Sequence, residues 1–295
     1  FCAYCGTRLE GGGVRREPRA RSRVIALPSE QALAAPCSVV AADERFVSIP
    51  ELGRLLSAML KRPLSDVTRE MRVSRGVLAQ GLPVEQALSL ARGLKESGVE
   101  AFVLGGEDFV EPPELQRMRR LELDRRGVRC EAYTWTHTRQ VEAEWDRVFL
   151  IAAGRVATTE VVEVPREEPT PAERRWRWIA AEFQKHVPKL ETRVRVEYVL
   201  DIVLFDPWER LRMDENPSAY AMTGAEADQR SALVEAAAGL SRFDRGAPCN
   251  QGVELLAHMA PAEAWQGLTF QAKQEFDAYL RWALQLARYG FSIPR

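Results

Sequence analysis

Gly81-Leu-Pro-Val-Glu-Gln-Ala-Leu-Ser-Leu-Ala-Arg-Gly-Leu-Lys-Glu-Ser-Gly98-Val-Glu-Ala-Phe-Val-Leu104 is the stretch on which the fold turns. Pro83 suits the first turn of a helix, where its missing N–H costs nothing. Ala87, Leu90, Ala91 and Leu94 then recur at helical spacing and make one apolar face. Gly98 fits the left-handed position that ends a helix. Val99 to Leu104 follows as a strand. Upstream, Cys37 to Ala42 predicts another strand, ending at the acidic pair Asp43 and Glu44, and Val24 to Leu27 a shorter one. Ser48 and Pro50 open a helix carrying Leu52, Leu55, Leu56, Met59 and Leu60 at helical spacing, and Pro63 breaks it. Ser65 to Arg72 reads as a second helix and Gly76 to Gly81 as a loop. The expected order is strand, helix, helix, helix, strand.

Two pieces of this block carry a resemblance. Gly81-Leu-Pro-Val-Glu85-Gln-Ala87 with Leu94-Lys-Glu-Ser-Gly98-Val-Glu-Ala resembles the C-terminal domain of the bacterial ribosomal stalk protein, without a gap from about Val77 to Val103. The adaptor of the Clp protease shares that small α/β fold, and there too the first strand ends in acidic residues. The resemblance implies a compact unit over residues 24–110 that holds a protein partner. It does not carry over the partner itself. Arg75-Gly76-Val77-Leu78-Ala79-Gln80 lacks the lysines of the stalk family, and Val73 stands where the adaptor has its histidine. The contacts expected from it are Asp43, Glu44 and Arg75, around a groove beside the loop.

Beyond Glu111-Pro112-Pro113 the pattern changes. Residues 114–127 are mostly charged and read as a connecting helix, so 111–127 is expected to link two domains. From Val128 the period shifts toward two, as strands require. Arg129 to His137 predicts a strand, and Arg147 to Val164 a hairpin turning at Gly154. Pro165 to Pro171 predicts a loop, and Ala172 to His186 a helix with Trp176, Ile179, Ala180 and Phe183 on one face. Val194 to Phe205 is the strongest strand signal. Asp206-Pro207 turns it, and Trp208 to Met213 returns beside it. Ala225 to Leu240, Asn250 to Met259 and Phe270 to Tyr289 read as helices. The fold class is therefore α+β, with a curved antiparallel sheet and C-terminal helices over 128–295. That second domain resembles the pleckstrin-homology type in architecture, without a residue signature.

Residues 1–23 form a separate beginning. Cys2-x-x-Cys5-Gly6 resembles one knuckle of a zinc ribbon, since this spacing lets two thiolates meet one zinc ion. A structural zinc takes four ligands, and no second pair follows. His137, His186 and His258 are remote, and Cys37 falls in a predicted strand. Cys130 and Cys249 read as small residues near the core. Gly11-Gly12-Gly13 and Arg15, Arg16, Arg19, Arg21 and Arg23 then make a basic linker.

Composition narrows the function. A net charge of −1 gives no global attraction for nucleic acid or an anionic membrane. Only five of the 41 basic residues are lysine, and such an arginine excess often reflects a GC-rich genome, which weakens the case for any single arginine as a recognition residue. The longest apolar runs, Val148 to Ala153 and Tyr198 to Phe205, fall far short of the roughly 20 residues a spanning helix needs. The chain opens on Phe1 with no secretory pattern, and sparse cysteines fit a reducing compartment, so a cytoplasmic protein is expected. No Gly-x-Ser-x-Gly, phosphate loop, dinucleotide fingerprint or His-Glu-x-x-His occurs. The leading expectation is a non-enzymatic interaction protein. A nucleic-acid-associated factor using the knuckle and linker is the first alternative. A metal-dependent hydrolase using Asp201, Asp206 and Asp214 is the second, although Asp206-Pro207 and Asp214-Glu215-Asn216-Pro217 also read as turns.

Overall fold

The computed structural model describes residues 25–43, 49–133, 137–164, 189–215, 229–242 and 247–293. The knuckle cysteines Cys2 and Cys5, the arginine linker, Glu44 and the helix expected over 172–186 lie outside them. The fold is α+β.

The N-terminal unit runs β1 (Cys37–Ala41), α1 (Ile49–Leu60), α2 (Leu64–Ser74), β2 (Val77–Leu82), α3 (Val84–Glu96) and β3 (Ala101–Leu104). Its sheet has the order β2-β1-β3, with both pairings antiparallel. The segment expected as a loop after Gly76 is thus a strand, because Val77 and Leu78 bury their side chains and pair with β1. Ile25 to Leu27 is not a strand; the Ile25 N–H instead donates to the Arg288 carbonyl at 3.0 Å. The predicted third helix stands. Ala87, Leu90 and Leu94 are buried, and Gly98 ends the turn at φ +80°.

The second sheet has seven strands: β4 (Leu115–Leu123), β5 (Gly127–Tyr133), β6 (Thr138–Glu144), β7 (Val148–Val164), β8 (Lys189–Leu204), β9 (Glu209–Asp214) and β10 (Thr269–Phe270). Their order is β10-β7-β8-β9-β4-β5-β6. The sheet is mixed, since β4 with β9 and β10 with β7 run parallel. Two expectations are corrected here. Residues 115–123 are a sheet strand and not a connecting helix. The hairpin expected to turn at Gly154 is one strand, and the glycine has a different reason. A Cβ there would lie 2.6 Å from the Phe276 ring and 2.7 Å from that of Phe270.

Among the described residues three helices follow: α4 (Gln229–Arg242), α5 (Gln251–Ala257) and α6 (Lys273–Arg288). The last holds the molecule together. Phe276, Tyr279, Leu280, Trp282, Ala283, Leu284 and Leu286 are all buried, so the apolar stripe of α6 takes up more than half of its circumference and must be covered on two sides. On one side it meets the large sheet at Gly154. On the other it covers the small-sheet unit, with the Trp282 indole N–H donating to the Ala41 carbonyl at 2.8 Å. Gln285, fully buried, accepts from the Val110 N–H at 3.0 Å and donates to its carbonyl at 2.6 Å. Buried apolar residues of both units form one continuous core.

Gly76 lies under that tryptophan, and an added Cβ would sit 2.0 Å from the ring. Gly76→Ala is expected to destabilise the protein by about 1–3 kcal/mol, the usual cost of overpacking. Urea unfolding followed by tryptophan fluorescence measures it.

Candidate functional site

Two of the three residues expected to contact a partner, Asp43 and Arg75, have a definite place. Asp43 is half-buried just past β1, and Glu44 lies outside the described residues. Arg75 ends α2 at φ +53°, a backbone conformation that L side chains rarely adopt. Its guanidinium faces inward, 3.4 Å from Glu275 Oε2 and 4.7 Å from the Phe270 ring centre. Gln80 accepts from Arg281 at 3.0 Å. The expected groove is therefore filled by α6 of the same chain. The physical reason is the apolar face of the small sheet, which needs a cover.

The three aspartates of the hydrolase alternative are not brought together. Asp201 is fully buried among cations. Its Oδ1 accepts from Arg212 Nε at 2.7 Å, and its Oδ2 from Arg210 Nε at 2.7 Å and Arg212 Nη2 at 2.9 Å. Both arginines continue to Asp277 of α6, Arg212 at 2.7 Å. Asp214 accepts from Lys273 Nζ at 2.9 Å. Asp206 lies exposed in the β8–β9 turn, five strand residues or roughly 16 Å from Asp201. Burial alone would lower the Arg212 pKa, and Asp201 and Asp277 reverse this to raise it. Burial works against ionised Asp277, but Arg212 and Arg210 outweigh it and hold the carboxyl below its ordinary value. Charges so matched fasten a helix to a sheet and leave the central carboxylate no open face. The sequence carried a signal for this network: a lone acid inside the apolar run Tyr198 to Phe205, with Arg210-x-Arg212 returning beside it.

Among the described residues no group of three or more His, Cys, Asp and Glu could hold a metal ion. Cys37 and Cys130 are buried, and burial pushes the Cys130 thiol up to about 12. Cys249, expected near the core, is exposed at the mouth of a cleft of about 750 Å³ that also reaches Glu254 and His258. His258 follows α5 and Cys249 precedes it. Nine residues of helical rise put about 13 Å between them, too far for a nucleophile and its base. No helix among the described residues is long and apolar enough to cross a membrane.

Two further surfaces among the described residues expose apolar side chains. In the first, β7 and β8 run on together past the rest of the sheet, paired in register from Thr158 with Arg195 to Val164 with Lys189. Side chains alternate between the faces of this arm. One face continues the α6 side and is charged. Glu160 and Glu197 flank Arg195 there, the latter at 2.7 Å, and Arg193 lies 3.7 Å from Glu191. The other face continues from Tyr198, whose ring meets Trp265 at 5.3 Å and the Arg230 guanidinium of α4 at 5.4 Å. Past Tyr198 this face shows Val161, Leu190 and Val194, which are 64%, 61% and 63% exposed. In the second, α2 turns Leu64, Arg69, Arg72 and Val73 outward over a groove of about 600 Å³ walled by Glu275. Sequence reading found neither surface, because strand and helix patterns locate apolar residues but not what covers them.

No known protein family matches the chain, and neither a curated protein nor a solved structure resembles it closely enough to count as a relative.

Proposed function

We propose that the protein is a non-enzymatic interaction protein and that the β7–β8 arm is its main contact with a protein partner. The observation that carries this is the exposed apolar face made by Val161, Leu190 and Val194. An isolated two-stranded ribbon is marginal in water, and three large aliphatic side chains on one side of it raise the cost further. Contiguous apolar surface rimmed by charge marks an interaction site more often than chance. The opposite face, laced with Glu and Arg pairs, keeps the arm in solution and orients it.

A photo-crosslinking residue at position 194 tests this in cells of the source organism. The expected product is a discrete heavier species, absent when the same residue replaces Arg193 on the charged face. It also disappears when Val161→Glu is added. Crosslinking of equal yield at both positions overturns the reading. So does a crosslink within the chain, which leaves the mass unchanged and makes the protein its own cover.

A further inference from the structure

We infer that the element docked on the arm is an amphipathic α-helix of another protein, lying along the arm with its N-terminus at the tip. The inference rests on the reading of the arm as the contact surface and names what sits on it. Val161 pairs with Thr192, which places it midway between Leu190 and Val194 on the neighbouring strand. Leu190 and Val194 are four strand residues apart, or about 13 Å. The three exposed side chains thus form a zigzag with steps of about 7 Å along the arm.

Backbone chemistry decides the form. The face of a ribbon offers side chains, while its N–H and C=O groups lie in the plane of the strands. A lone extended segment laid across that face would leave its own backbone groups unpaired in an apolar contact. A helix pairs its backbone internally, and its diameter of about 10–12 Å matches a face two strands wide, roughly 10 Å. Helix positions i, i+4 and i+7 advance by about 6 Å and then to about 11 Å, close to the spacing of the three side chains. Position i+4 sits to one side of i and i+7, as Val161 sits to one side of Leu190 and Val194.

Charge decides the direction. On this face, from Ala157 to Glu163 in β7 and from Leu190 to Val196 in β8, Glu163 is the one charged residue. It is exposed, pairs in register with Leu190 at the tip, and has no ion pair among the described residues. A helix N-terminus carries free N–H groups and the positive end of the dipole, so it belongs above Glu163. The described helices of this chain spend their apolar stripes on its own core, so the docked helix is supplied by another protein.

The test maps what the arm captures. A photo-crosslinking residue replaces Leu190, Val161 and Val194 in turn, in the full chain in cells of the source organism. Mass spectrometry identifies the partner residue joined in each heavier species. The three positions are expected to reach one partner segment in that order from its N-terminal side, with joined residues about three or four apart, as on one helix face. Glu163→Lys, at an exposed position, should at least halve the three yields with unchanged circular dichroism, and Glu163→Asp should retain them. Joined residues about two apart, as in a strand, would overturn the inference and leave the arm as the contact surface. So would the reverse order, scattered attachment, attachment to a second copy of this chain or indifference to Glu163→Lys. Absence of a heavier species at all three positions would overturn the reading of the arm, and this inference with it.

Discussion

Asp201→Ala is expected to destabilise the protein by about 3–5 kcal/mol, because removing one partner of a buried ion network leaves the other charges without compensation. Asp201 is fully buried, and Arg212 and Arg210 are 2% and 5% exposed. Without the carboxylate, both guanidinium groups keep only Asp277, which sits at the edge of the network. Urea unfolding gives the free energy. The quadruple variant Asp201→Leu, Arg210→Met, Arg212→Leu, Asp277→Asn removes every charge of the network and separates charge from position. Replacing a whole buried network with apolar groups is often neutral, so most of the loss should return. A small loss for the single variant would mean that water reaches the arginines. Acid acts on the same device. Asp277 has its folded pKa lowered, so its contribution is present above the unfolded value and fades as the pH falls through the folded one. Stability should therefore decline below the ordinary carboxylate range, and less steeply in Asp277→Asn.

The parts that sequence located and the parts it missed differ in where their determinants lie. Helix α3 was legible because every determinant is local: Pro83 at its entry, the Ala87, Leu90 and Leu94 face, and Gly98 at its end. Strand β4 was misread because Leu115, Met118 and Leu121 recur every third residue, as in a helix, among charged neighbours. Only Met118 is buried, and the strand is defined by pairing with β5 and β9. Gly154 reads as a turn until Phe270 and Phe276 are placed beside it, more than a hundred residues later. Arg75 was expected to face a partner, yet it faces Glu275, two hundred residues on. The charge network likewise needs α6 to deliver Asp277. What sequence could not supply was the position of the last helix, and both corrected features of the N-terminal groove follow from that position.

The weight of this helix is tested by Trp282→Ala, expected to cost about 3–5 kcal/mol, the usual range for emptying a large aromatic from a core. Trp282 is 2% exposed, stacks edge-on with Tyr279 at 6.2 Å, and rests on Gly76. Its N–H also donates to Ala41, and losing that bond strands a buried carbonyl. Trp282→Phe keeps a ring without the donor and should cost less than half as much. The more telling readout is amide hydrogen exchange. If α6 makes one cooperative body of the two sheets, Trp282→Ala should speed exchange in β1 and in β8 by the same factor, since both open only with the whole molecule. Faster exchange confined to β1 would instead make the small sheet an independently opening unit, with α6 a removable cover. That outcome would return the covered groove beside Arg75 to consideration as a partner site, so one variant decides both the cooperativity of the fold and which surface faces the partner.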